Sequence, residues 1–222
     1  MSITKLEDVR KEDVATVGGK AANLGELIGM GMPVPDGYVV THPKPWTLVQ
    51  LSEYVAVRSS GIAEDGAKAS MAGQHDTFLY VREPELYQKI MQCFDSAYSP
   101  RAVAYREENG ITEDRIAVIV QRMIDPLYSG VLFTADPVTG DRNAMEMEWV
   151  NGTGEKLVSG EAIPASTQWA KHFMPALPKG SQGLPLIALE IESHFRCPQD
   201  IEWCVDKDYK LWILQARPIT TL

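Results

Sequence analysis

Cysteine is scarce in this chain: Cys93, Cys197 and Cys204 are the only three in 222 residues, and no two stand in a CxxC spacing. That argues against a disulfide framework or a structural zinc site and makes a reducing cytoplasm the simplest setting. Long apolar runs are missing too. None approaches the ~18 residues of a membrane-spanning helix, and the opening MSITKLEDVRKEDV interleaves charges with short apolar stretches, unlike a secretory signal. Positive charge is in deficit, with 21 Lys and Arg against 30 Asp and Glu for a net charge of −9. Such a surface repels polyanions, so neither nucleic acid nor a membrane is an expected partner. The four histidines, His42, His75, His172 and His194, show no HxxxH or similar spacing, which speaks against a histidine-based metal or hydrolytic centre. What is present is ordinary for a globular protein, 45% hydrophobic and 23% charged, in a chain long enough for one large domain or two lobes.

Glycine and proline cluster at points that punctuate the chain. After Gly18-Gly19-Lys20 comes AANLGELIGM, where Ala22, Leu24, Leu27 and Ile28 share a helical face until Gly29, Gly31, Pro33 and Pro35 end it. Gly37–Thr41 and Tyr54–Val57 are rich in β-branched and aromatic residues and read as strands. From Ser59 to Gln74 the segment SSGIAEDGAKASMAGQ has almost no large apolar side chain and reads as a long loop. Thr77–Val81 reads as a strand, and Glu83–Asn109 as two helices broken near Ser99-Pro100. The second half is sheet-rich: IAVIVQRMI, YSGVLFTADP and NAMEMEWV, then a helix LIALEIESHF with Ile187, Ile191 and Phe195 inward. Two last strands, Asp200–Val205 and Lys210–Gln215, are joined at Asp206–Tyr209. The expectation is an α+β protein with two lobes, residues 1–115 and 116–222.

Three features carry candidate chemistry. Glycines before a helix admit an anion to backbone N–H groups while Lys20 supplies a point charge, although the segment lacks the spacing and the Ser or Thr of a P-loop. The plain reading is a surface turn with a solvated lysine. Arg58, at the end of an apolar strand, precedes the small-residue loop that closes at Gly73-Gln74 and reaches Thr77. An arginine there forks onto phosphate oxygens, and the loop lies over them as a lid. Its plain reading is an ion pair with Glu64 or Asp65. In the terminal hairpin, Asp200 and Glu202 share one side of a strand, as do Gln215 and Arg217 of the next. If the pairs meet, oxygen ligands suited to magnesium and a guanidinium converge. Otherwise this is a hairpin with a weak cross-strand ion pair. Met145 and Met147 read as core.

Taken together, VGGKAANLGEL, PVPDGYVVT, VAVRSSGIAEDGAKASMAGQHDTF, SPRAVAYR, VIVQRMI, SGVLFTADPVTGD, NGTGEKLVSG, PQDIEW and LWILQARPITTL follow one order. In that order they resemble the nucleotide-binding region of the phosphoenolpyruvate synthase and pyruvate phosphate dikinase family, which rifampin phosphotransferase shares. The resemblance implies a two-lobed ATP-grasp fold with ATP between the lobes. It places Lys20 and Arg58 on phosphates, Gly73 and Thr77 in the covering loop, and Gln121 near the adenosine. It makes Glu202 and Gln215 the ligands of Mg2+ and sets Arg217 against the transferring phosphate, with Asp200 a further acidic position. Lys20, Arg58 and Arg217 then oppose triphosphate charge, in keeping with a reaction governed by positioning and charge neutralisation. In this family the β-phosphoryl group passes to a histidine on a separate domain, and onward to pyruvate or another acceptor. None of the four histidines here stands in that domain's motif.

The sequence departs from the family between Thr41 and Arg58, where a long helical insert is reduced to HPKPWTLVQLSEY, and again after Ser159-Gly160. Ile62 replaces a threonine usual in the phosphate loop. The expected function is an Mg-ATP-binding domain of a dikinase-type phosphotransferase that completes its cycle with a phosphohistidine partner. The alternatives are a non-catalytic ATP-binding regulatory or interaction module and a purely structural protein that binds no nucleotide.

Overall fold

The structure, a computed structural model, describes residues 3–42, 53–62, 77–108, 110–112, 115–154, 163–220 and 222. The chain forms two compact units, Met1–Gly31 with Pro35–Met123, and Met32–Val34 with Ile124–Leu222. The division follows Met123 and not residue 115. The strand Ile116–Arg122, read from sequence as the start of the second lobe, is the middle strand of the first unit's sheet and bonds to a neighbour on each side.

In the first unit a five-stranded sheet has the order β1-β2-β5-β3-β4. Its strands are β1 (Ile3–Lys5), β2 (Gly37–Val40), β3 (Val55–Gly61), β4 (Thr77–Val81) and β5 (Ile116–Arg122). A four-residue turn of helix, α1 (Val14–Val17), leads into α2 (Gly19–Gly29). After β4 come α3 (Glu83–Ser96) and α4 (Pro100–Glu108), broken as the Ser99-Pro100 pair leads one to expect. One sheet face is apolar: Val40, Val55, Val57, Val118 and Val120 are buried together with Ile90 and Cys93 of α3. Leu86 and Phe94 join them, completing an i, i+4, i+7, i+8 stripe along that helix. Residues that pair in an antiparallel sheet share a face, so the register puts Ala56, Arg58, Ser60, Ile119 and Gln121 on the opposite side. Helix α2 packs against β3.

Arg58 is therefore mid-strand. Sequence placed it at a strand end because Ser59 and Ser60 look like loop residues, yet β3 continues to Gly61 in register with Val118, Ala117 and Ile116. Both serines are buried: the Ser60 hydroxyl accepts the Ala21 N–H of α2, which offsets the cost of burying it, and the Ser59 carbonyl accepts from Lys20 of the same helix.

The second unit's sheet has five strands in the order β10-β9-β6-β7-β8. These are β6 (Pro126–Phe133), β7 (Ala144–Asn151), β8 (Ala165–Ala170), β9 (Gln199–Asp206) and β10 (Leu211–Pro218). Between β8 and β9 runs α5 (Leu184–Phe195), with Leu184, Ala188 and Ile191 buried and Ile187 and Phe195 half-buried. Ile201, Trp203, Leu132, Met145, Met147 and Ile213 are fully buried, so the methionines belong to the core. Gly130 is required where β6 crosses β7, because a Cβ there would lie 1.9 Å from the Glu148 carbonyl oxygen. Strand β8 has no counterpart in the sequence reading.

Candidate functional site

In the first unit the backbone gathers four of the sequence-derived residues around one sheet face. Thr77 stands directly opposite Arg58 on β4, and Gln121 pairs with Ala56, one step along the same face as Arg58. Lys20, on the first turn of α2, reaches the strand: its Nζ donates to the Ser59 carbonyl at 3.0 Å. Lys20 and Gln121 are buried, Arg58 is half-buried and Thr77 exposed. The Gln121 amide Nε2 donates to the Pro35 carbonyl at 2.8 Å, which fixes its orientation at the end of β5. Lys20 is thus no solvated turn residue. Gly73, Glu64, Asp65 and the rest of the covering loop lie outside the described residues.

In the second unit the hairpin of β9 and β10 places Gln215 opposite Glu202 and Arg217 opposite Asp200. This facing depends on a β-bulge. Up to Ile213 and Trp203 the strands pair one for one, then Gln215 and not Leu214 stands opposite Glu202. In unbroken register Leu214 and Ala216 would occupy those places, and Gln215 and Arg217 would turn toward the apolar side. Beyond the bulge Leu214 is only half-buried, while Ile213 lies fully buried with Ile201 and Trp203.

Arg217 donates from Nε at 2.8 Å to Asp200 Oδ2, and its second guanidinium nitrogen lies 2.6 Å from the same oxygen. Oδ1 of Asp200 is buried and has no hydrogen-bond partner among the described residues. Burial raises the Asp200 carboxyl above the ordinary range, Arg217 works against that, and Glu202 adds to it. Among the described residues no group of three or more His, Cys, Asp and Glu side chains is arranged to hold a metal. A protein-only cage is not what magnesium needs, however. Glu202 and Gln215 stand opposite each other on one face of the hairpin, and a carboxylate and an amide oxygen are the ligand types that magnesium takes alongside phosphate and water.

Two residues of this face were not picked out from sequence. Glu146 and Glu148 of β7 pair with Phe133 and Val131 of β6, which in turn pair with Asp200 and Glu202. All six therefore lie on one side of the sheet. Burial, then Glu148, then Asp136 raise the Glu146 carboxyl. The signal was the alternation Met-Glu-Met-Glu, since inward methionines send the glutamates to the polar side.

A chain of helices and two five-stranded antiparallel sheets, one in each unit, has the ATP-grasp fold. The solved structures that share the fold include D-alanine-D-alanine ligase from Helicobacter pylori, with a TM-score of 0.53 and 9% identity over 94% of this chain and 56% of that one. The ADP complex of N5-carboxyaminoimidazole ribonucleotide synthetase gives 0.52 and 9% over 91% and 45%. At that identity the likeness concerns fold alone. The family follows from sequence: residues 46–183 and 179–222 match the pyruvate phosphate dikinase, AMP/ATP-binding domain, and the chain belongs to that family. It is 31% identical to a probable phosphoenolpyruvate synthase of Archaeoglobus fulgidus, over 100% of this chain and 42% of that protein. It is 36% identical to a rifampicin phosphotransferase of a Streptomyces species, over 99% and 29%. The chain thus spans less than half the length of these curated relatives. No helix among the described residues is long and apolar enough to cross a membrane.

Proposed function

We propose that this chain binds Mg-ATP and presents its β-phosphoryl group to a histidine on a separate domain, with AMP released, as one part of a dikinase-type phosphotransferase. The observation that carries the reading is the register of the terminal hairpin, which sets two oxygen ligands and an Asp–Arg pair side by side on one face. Lys20 and Arg58 oppose phosphate charge, and Gln121 orients the adenosine. Thr77 supports the phosphate-covering loop to which Gly73 is assigned. Glu202 and Gln215 hold magnesium, which neutralises phosphate oxygens when bound. Arg217 stabilises charge on the group in transfer, and a planar fork suits a phosphoryl group better than a lysine would. Asp200 keeps that guanidinium oriented. Positioning and charge neutralisation suffice for such a reaction, and no side chain here needs to act as a base.

The final acceptor, pyruvate or another small molecule, belongs to a domain beyond this one. Incubating the chain with Mg-ATP and a candidate histidine domain tests the proposal. AMP and acid-labile phosphohistidine are expected together. ATP binding without either product would instead assign the chain a regulatory or interaction role.

A further inference from the structure

We infer that Ser60 is a positioning residue for the phosphate end of this site, acting through α2 and Lys20; the inference rests on the ATP-binding reading above. The first N–H groups of a helix lack intrahelical acceptors and are usually met by a side chain at the N-cap. Helix α2 has Gly18 at that position, which offers none. The acceptor comes from another strand: Ser60 Oγ receives the Ala21 N–H at 3.0 Å. Ser60 is fully buried.

The approach is possible only because residue 18 is glycine. Its φ is +80°, and a Cβ there would lie 2.3 Å from the Ser60 carbonyl oxygen and 2.5 Å from Oγ. One residue back, the Ser59 carbonyl accepts from Lys20 Nζ at 3.0 Å. Strand β3 therefore carries Arg58 directly and fixes Lys20 through the next two residues, so both cations take their places from one rigid strand. A site held on strands and helices keeps its geometry better than one held on loops.

The test is titration calorimetry of the intact chain with Mg-ATP, with inorganic tripolyphosphate and with adenosine. For Ser60→Ala, loss of a cap-type bond weakens Mg-ATP and tripolyphosphate by roughly tenfold while adenosine affinity holds. Ser60→Thr, which keeps the hydroxyl, restores most of that loss. Adding Ser60→Ala to Lys20→Ala costs little more than Lys20→Ala alone, because one acts through the other. Unchanged tripolyphosphate affinity in Ser60→Ala, or an equal loss for adenosine, overturns the inference and leaves the ATP reading standing. Failure of the unmodified chain to bind either Mg-ATP or tripolyphosphate overturns both.

Discussion

Arg217 and Asp200 face each other across the last hairpin, and the guanidinium addresses a single carboxylate oxygen through two nitrogens, at 2.8 and 2.6 Å. The other oxygen is buried and without a partner among the described residues.

Removing the arginine leaves a carboxylate stranded in a poorly solvated place. Arg217→Ala is expected to destabilise the protein by about 2 kcal/mol in urea unfolding at neutral pH. The pH dependence has a definite sign. The folded-state carboxyl already titrates above its unfolded value, chiefly through burial. Its contribution is greatest in acid and lost as pH rises through the folded pKa, because the folded state holds the proton more tightly. Without Arg217 that decline from about pH 4 upward should steepen. A variant with the pH profile of the unmodified protein would show that the pair carries no such energy.

Asp136 behaves oppositely. The N–H and hydroxyl of Thr139, with the N–H of Val138 and the Gln168 amide, bring its carboxyl down to about 2. A depressed folded pKa means stability that is present above the unfolded value and disappears as pH falls toward the folded one. Thermal melts between about pH 5 and 2 should show this loss. Asp136→Asn should melt with a shallower acid dependence, and an identical acid slope would contradict the assignment.

The cysteines should differ sharply in reactivity. Burial, with Asp206 adding to it, pushes the Cys204 thiol up to about 12, and Cys93 is fully buried. Cys197 is half-buried, with Sγ 3.1 Å from the Gln199 amide nitrogen. A disulfide reagent at neutral pH should label Cys197 in the folded protein and the other two only on unfolding. Rapid native labelling of Cys204, located by peptide mass mapping, would contradict this packing.

Much of this organisation was readable from the chain because it rests on period and punctuation. The Ser99-Pro100 break, the alternation of Met145 and Met147 with Glu146 and Glu148, and the Asp206–Tyr209 turn all carry their own signals. Ser59–Gly61 misled because those residues are strand through pairing with Val118, Ala117 and Ile116 of β5 and through the contacts of Ser59 and Ser60 with α2, which span 39 positions in sequence. The extra residue at Leu214 was equally hidden. An uninterrupted period of two gives the correct partners for Gln215 and Arg217 only if the strand slips by one, and no residue type announces that slip. Strand β8, ASTQWA, sits at a sheet edge with most side chains exposed, so it lacked an apolar alternation to reveal it.

The most direct test of the ATP reading is calorimetric titration of Mg-ATP into the intact chain, into Lys20→Ala, and into Glu202→Gln. Saturable binding of one nucleotide per chain is expected, weakened by about tenfold or more in each variant, since Lys20→Ala removes a cation that opposes phosphate charge and Glu202→Gln removes the charged oxygen ligand assigned to magnesium. Absence of binding to the unmodified chain, or binding that neither substitution disturbs, would contradict the account.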